Sequence, residues 1–474
     1  MKFTAVIFTV SFIFISEFLS GRQVLQTTVG LNGDSGKYII GDIDLSGNRV
    51  TKRIIVIREL TFKEGDTVSV DELDLLFEKS RENLLKTSLF NFVYIDAVPG
   101  RNNLLDIDIK LEERWYTWPE IHFNHADRNF SAWWKSKDFS RINYGLGLSQ
   151  YNFRGRKEKI SFRFITGFIK QFAFSYDNII LDQHQKHILN LEAFYETRNR
   201  LEYITSENLP QLLDNREIIF HKQNYILKYT YRNRLYNIHR LTISYVKFDV
   251  SDTVVSLNPE FLGLNRLKTD FLTFVYYFES DHTNLKYYPL TGSLFNARLS
   301  YSGLLRSDFD KLELRTGFYK FFRLYKRIYA SAGLKMQIEN KGRLPYIAII
   351  GLGYDDFLRG YENYVIDGNN FLLLKSTLKY ELLPVKIIKL NFLPVGQFNK
   401  IHFSSYLNLF FDAGYVHDYY STYKLYNNNL VDKPLYTLGA GIDLVTYYDK
   451  MLRIDFAWNN IKEAGIFISL EQKF

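Results

Sequence analysis

The 474-residue sequence predicts an all-β membrane barrel of about 16 antiparallel strands, preceded by one small α+β domain. Three observations carry that expectation. Aromatic residues make up 17% of the chain, as 35 Tyr and 40 Phe, yet the mean hydropathy is only −0.19. Barrel strands alternate lipid-facing and lumen-facing side chains, so hydropathy averages out while Tyr and Phe collect at the two membrane interfaces. Beyond the N-terminus no stretch approaches the ~18 apolar residues of a spanning helix. From Trp115 to Phe474 the sequence holds only period-two segments separated by polar connections.

The first residues read as an export signal, residues 1–21: Lys2 gives a positive start, Phe3 to Ile15 an apolar core, and Ser16 to Gly21 small residues suited to cleavage. A linker, 22–36, leads into the α+β domain at 37–114. There Tyr38 to Leu45 alternates as a strand, and Ser46-Gly47-Asn48 turns the chain into an amphipathic helix over Lys52 to Leu60. Ser69 and Glu72 form a capping box for a second helix. Leu73, Leu76, Phe77 and Leu84 follow at helical spacing, with Ser80 as a small gap in the stripe. Leu89 to Val98 and Leu104 to Leu111 then read as strands joined by Pro99-Gly100-Arg101-Asn102. The order is βααββ.

The barrel is expected over 115–474. Ile160, Phe162 and Phe164 share one face of a strand, with Lys159, Ser161 and Arg163 on the other; Phe295, Ala297, Leu299 and Tyr301 alternate in the same way with Asn296, Arg298 and Ser300. Arg453 to Trp458 and Gly465 to Phe474 repeat the scheme. A soluble sandwich alternates too, but length favours the barrel: about 360 residues among 16 strands leave roughly 22 for each strand and its connection, enough for tilted strands of ~9–11 residues.

Several chemistries are excluded or disfavoured. The chain has no cysteine, so disulfides, thiolate metal sites and a cysteine nucleophile are absent. The net charge of +8 is spread along the chain rather than gathered into the basic face that nucleic acid would need. His122-x-x-His125 and His184-x-x-His187 have helical metal spacing, but in strands such pairs point to opposite faces. Gly145-x-Gly147 and Gly351-x-Gly353 read as strand glycines, and Glu112-Glu113-Arg114 as a charged join between domains. No nucleophile elbow, P-loop or dinucleotide fingerprint occurs. The reading is of a non-enzymatic chain without metal or cofactor.

Five segments resemble a known superfamily in its own order. Ile43-Asp44-Leu45-Ser46-Gly47-Asn48-Arg49-Val50-Thr51 resembles the opening strand and Gly-Asn-x-x-Thr turn of a POTRA domain, and Leu89-Phe90-Asn91-Phe92-Val93 the segment after its second helix. Phe357-Leu358-Arg359-Gly360-Tyr361 resembles the Arg-Gly-Phe/Tyr motif in a long extracellular loop of BamA-type, TamA-type and two-partner-secretion barrels. Phe410-Phe411-Asp412-Ala413-Gly414 resembles the Phe-x-Asp-x-Gly motif of a later strand. The terminal Phe474, in phase with Ile466, Ile468 and Leu470, resembles the C-terminal barrel signal, with Gln472 as a polar interruption.

The resemblance implies a 16-stranded barrel in the outer membrane of a Gram-negative bacterium, its POTRA-like domain in the periplasm. A motif loop near 354–370 folds into the lumen, and Arg359 reaches Asp412 on the inner wall. A guanidinium fork suits that task because it holds a carboxylate bidentately. If the lumen buries the pair, removing one partner costs ~3–5 kcal/mol, and if water fills it, ~1 or less. Gly360 supplies the turn, Gly414 room on the wall, and Tyr361 an aromatic lid. Relatives place a Glu on the strand after the loop as a second partner; Glu381 is the candidate here. The implied function is insertion or translocation of unfolded outer-membrane or secreted client proteins, among outer-membrane lipids and accessory periplasmic proteins, through a seam between the first barrel strand, within Trp115 to Asn124, and the last, Gly465 to Phe474. Two alternatives stay open: a dedicated exporter of one secreted partner, and a structural or pore barrel without insertase activity.

Overall fold

The computed structural model describes residues 37–100, 103–125, 138–182, 186–233, 236–285, 288–389, 400–420, 426–446 and 450–471. The export signal, linker, His184 and Phe474 lie outside the described residues.

The first domain comprises β1 (Lys37–Ser46), α1 (Arg53–Ile57), β2 (Thr67–Ser69), α2 (Val70–Lys86), β3 (Phe90–Pro99) and β4 (Leu104–Glu113). Its sheet runs β2-β1-β4-β3, with β1 parallel to β4 and the other pairs antiparallel. The apolar stripe of α2 buries Leu73, Phe77 and Leu84 against Ile40, Ile107 and Ile109 of the sheet. The Ser69–Glu72 capping box forms, satisfying amide donors that the first helical turn leaves open. Ser80 is fully buried, and its hydroxyl accepts from the Thr61 amide at 2.9 Å, so the gap in the stripe anchors the loop before β2. The three-residue β2 is too short to leave a periodic signal, and α1 is shorter than its amphipathic pattern suggested.

The second sheet has 16 strands in sequence order, interrupted by one separate hairpin. It comprises β5 (Thr117–His125), β6 (Ile142–Phe153), β7 (Glu158–Gly167), β8 (Lys170–Ile180) and β9 (His187–Arg198), then the hairpin β10 (Arg200–Ser206) and β11 (Leu209–Asp214). It continues through β12 (Phe220–Asn233), β13 (Asn237–Val250), β14 (Lys268–Asp281), β15 (Gly292–Gly303), β16 (Lys311–Tyr325) and β17 (Ile328–Glu339). The last five are β18 (Asn370–Lys389), β19 (Lys400–His417), β20 (Leu435–Thr446), β21 (Lys450–Asn459) and β22 (Ala464–Glu471). All neighbours are antiparallel. The burial pattern is inverted relative to a soluble sheet. On β16, Leu312 and Leu314 are 47% and 38% exposed while Lys311, Glu313 and Arg315 are 7%, 4% and 9% exposed. Apolar side chains face lipid and charges face a lumen, where they pair with one another.

Strand direction puts the turn between β6 and β7 on the side of the barrel where the first domain sits and the β17–β18 and β21–β22 connections on the opposite side. The first domain docks on that turn. Glu113 accepts from the Thr51 amide at 2.6 Å and the Thr51 hydroxyl at 2.5 Å, and Thr51 in turn accepts from Asn152 Nδ2 at 2.8 Å. The Lys52 amide donates to the Gly155 carbonyl at 2.9 Å. Gly155 sits at φ +70°, where a Cβ would lie 2.0 Å from the Val50 carbonyl, so only glycine permits this approach. Thr51→Ala strands Asn152 and part of Glu113, and is expected to weaken docking by about 1–3 kcal/mol. Distances between labels on the two domains should then broaden; an unchanged distribution would remove this hinge from the account.

Lys157 lies in the same turn, and burial pulls its ammonium down to about 8; Glu59 opposes the shift, and Arg58 and Arg232 reinforce it. Its pKa is lower docked than free, so the free state binds more protons in this window. Docking is therefore expected to tighten as pH rises from about 8 toward the ordinary lysine range. The same label distances followed from pH 7 to 10 check the sign.

Candidate functional site: a loop seated in the barrel lumen

Residues 340–369 connect β17 to β18. A connection of this length with almost no secondary structure of its own is uncommon unless it has a task. It narrows to a neck where Leu352 and Ile366 exchange backbone hydrogen bonds of 2.9 and 2.8 Å. A Cβ at Gly351 would lie 1.9 Å from the Ile366 carbonyl, and Gly353 has φ +112°. This glycine pair therefore forms the neck of a loop rather than belonging to a strand. Gly145 and Gly147 do lie in β6.

Beyond the neck the tip crosses the inner wall. The Arg359 Nε donates to Asp412 Oδ2 at 2.7 Å and its Nη2 to Oδ1 at 2.5 Å, a bidentate pair between residues 4% and 0% exposed. The same Nη2 donates to Thr377 Oγ1 at 3.1 Å and to the Ser376 carbonyl at 3.2 Å. Below the guanidinium lies the Phe410 ring, 3.9 Å from the carbon to the ring centre. Four hydrogen bonds to three residues and an aromatic face satisfy a buried charge that would otherwise be costly to desolvate. Leu358 and Tyr361 bury beside Phe371, Leu373 and Val416 of the wall. Gly360 adopts φ +81° with its missing Cβ 2.8 Å from Thr437 Cγ2, so both the turn and the close approach to β20 require glycine.

Other expected details differ. Thr377 fills the place where Glu381 was expected: Glu381 lies four residues further along β18, about 13 Å at the rise of a strand, and its amide pairs with the Arg327 carbonyl beside a register shift. A Cβ at Gly414 would meet Leu352 and Leu358 at an ordinary 3.5 Å; the glycine that makes room is Gly439 on β20, where a Cβ would lie 2.2 Å from Phe410 Cζ. Tyr361 is a buried post rather than a lid, its hydroxyl donating to Asn460 Oδ1. A second anchor carries no sequence motif: Asp356 pairs with Lys335 on β17 and, at 3.6 Å, with Arg315 on β16. The loop thus grips the wall on both flanks. His122 faces the lumen and pairs with Glu120 at 3.3 Å.

The hairpin β10–β11 folds over the same end of the barrel. Glu207 and Asn208 take φ values of 55° and 58°, the left-handed pair that a two-residue hairpin turn requires. Asn208 ties three loops together: its carbonyl accepts from the Val365 amide at 2.8 Å and its amide donates to Asn428 Oδ1 at 2.7 Å.

A family model described as "POTRA: Surface antigen variable number repeat" matches residues 38–114. No curated protein matches the sequence. Among solved structures the chain is similar to BamA from Haemophilus ducreyi lacking POTRA domains 1–3, with a TM-score of 0.59 and 16% identity over 91% of this chain and 83% of that one. It is also similar to CdiB from Escherichia coli, with a TM-score of 0.53 and 11% identity over 91% of this chain and 75% of that one. At such identities the likeness is one of fold, and it spans POTRA domain and barrel together. The chain therefore carries a POTRA domain at 38–114 ahead of a 16-stranded barrel with the fold seen in BamA and CdiB.

Proposed function

We propose that this barrel, its POTRA domain in the periplasm, assists client proteins in inserting into or crossing the outer membrane through the seam between β5 and β22. The observation that carries the reading is the seam itself. Every pair of neighbouring strands from β5 to β22 is joined by a backbone ladder, whereas among the described residues no ladder joins the two ends. A strand edge that opens at such a seam is a template for another strand, and at a membrane seam the strand it takes up is a client's. The lumen contributes the second half of the reading. A loop anchored by Arg359 and Asp356 on opposite flanks occupies it, which suits a gated path better than an open pore.

Depleting the protein in its native cell and comparing outer-membrane and culture-fluid proteomes tests the proposal. Broad loss of outer-membrane barrels would place it in assembly, and loss of a single exported protein in dedicated export. No change in either fraction would contradict both and leave a structural or pore barrel.

A further inference from the structure

The motif loop does not end its contacts at the Arg359 anchor. Three hydrogen bonds run from its tip to the turn that joins β21 to β22, the last hairpin of the barrel. The Tyr361 hydroxyl donates to Asn460 Oδ1, the Tyr364 hydroxyl donates to Glu463 Oε1 at 2.7 Å, and Asn459 Nδ2 donates to the Gly360 carbonyl at 3.0 Å. Burial pushes both tyrosine hydroxyls up to about 12, so each remains a donor across the physiological range. The turn is itself braced: Asn459 Oδ1 accepts from the Glu463 amide at 2.9 Å, and Asn460 Nδ2 donates to the Pro434 carbonyl at 3.0 Å.

A second, apolar route reaches the same strand. Phe410, whose ring carries the Arg359 guanidinium, packs in one buried cluster with Ala457 of β21 and Phe467 of β22. Phe467 is a lumen-facing side chain of β22, while its neighbour Ile466 is 68% exposed to lipid. Phe410 reaches across β20 only because position 439 is glycine.

We propose that the motif-loop tip is a clasp on the last hairpin, Tyr361, Tyr364 and Gly360 holding the Asn459–Glu463 turn from one end and Phe410 joining Ala457 and Phe467 in one buried cluster from within. Seating the loop on the wall and fixing β22 in place are then one event, and any displacement of the loop is passed to the strand that forms one side of the seam. The regulatory meaning of the clasp rests on the seam being the client's gate; the mechanical coupling does not.

The test is amide hydrogen exchange on the purified full-length protein in lipid nanodiscs without any client. The Tyr361→Phe/Tyr364→Phe double variant keeps both rings and removes only the two hydroxyl bonds. It is expected to speed exchange by about tenfold in β22 and the 459–463 turn, and to leave β6 through β15 unchanged. Tyr277→Phe, which removes a hydroxyl bond to Glu279 far from the clasp, should leave β22 as in the unaltered protein. Gly439→Ala, pressing on Phe410, should reproduce the effect on β22 by the second route. Unchanged β22 exchange in the double variant overturns the proposal, and so does a uniform rise across the whole barrel. If β22 loosens as expected but client delivery in cells is unaffected, the gate reading fails and the coupling stands.

Discussion

Arg359→Ala is expected to lower the stability of the seated loop by about 3–5 kcal/mol. The size follows from burial. Asp412 is fully buried and its two oxygens receive the two arms of the guanidinium, so removing Arg359 leaves an unpaired carboxylate with little water to replace it. Arg359→Lys keeps the charge but loses the planar fork, and should fall between the two. The double variant Arg359→Ala/Asp412→Asn removes both charges and should recover part of the loss, because the cost lies in the stranded partner more than in the missing bond. Denaturant unfolding in micelles, combined with protease susceptibility of the loop, measures these differences. A loss near the ~1 kcal/mol typical of exposed pairs would mean that water fills the lumen around Asp412.

Asp356 sets the form of that loss. Its pairing with Lys335 and Arg315 lies on the flank away from Asp412, so the loop without Arg359 stays tethered and pivots rather than leaving the lumen. Protease cleavage should accordingly concentrate at 357–359, between the Asp356 anchor and the contacts that Gly360, Tyr361 and Tyr364 keep with the Asn459–Glu463 turn.

The fold was largely legible because a barrel writes its pattern into every strand. Leu312 and Leu314 alternating with Lys311, Glu313 and Arg315 state which face meets lipid. Arg359 and Asp412 were legible through resemblance, and their pairing is chemically specific because a fork needs a carboxylate. Thr377 was not. Its rank over Glu381 depends on register along a strand with shifts near Glu381, and register is a property of pairing that a single strand does not carry. Asp356 was invisible for a related reason, since its partners come from β16 and β17 and no local spacing links them. Gly439 was missed and Gly414 overvalued because both are glycines in period-two strands. Only the neighbouring strand's Phe410 tells them apart.

The proposed function requires the β5–β22 seam to open. The chain contains no cysteine, so a disulfide placed across the seam would be its only one. Ile121 and Phe123 on β5 and Ile466 on β22 face lipid, each more than a third exposed. Ile121→Cys or Phe123→Cys combined with Ile466→Cys or Ile468→Cys therefore leaves the lumen and the motif loop untouched. A pair whose Cα atoms come within about 4.4–6.8 Å will close under oxidant. The measurement is client delivery to the outer membrane or the medium by the stapled protein, before and after reduction. Delivery is expected to stop when the staple is closed and to return when it is reduced; undiminished delivery by fully oxidised protein would show that the seam need not open.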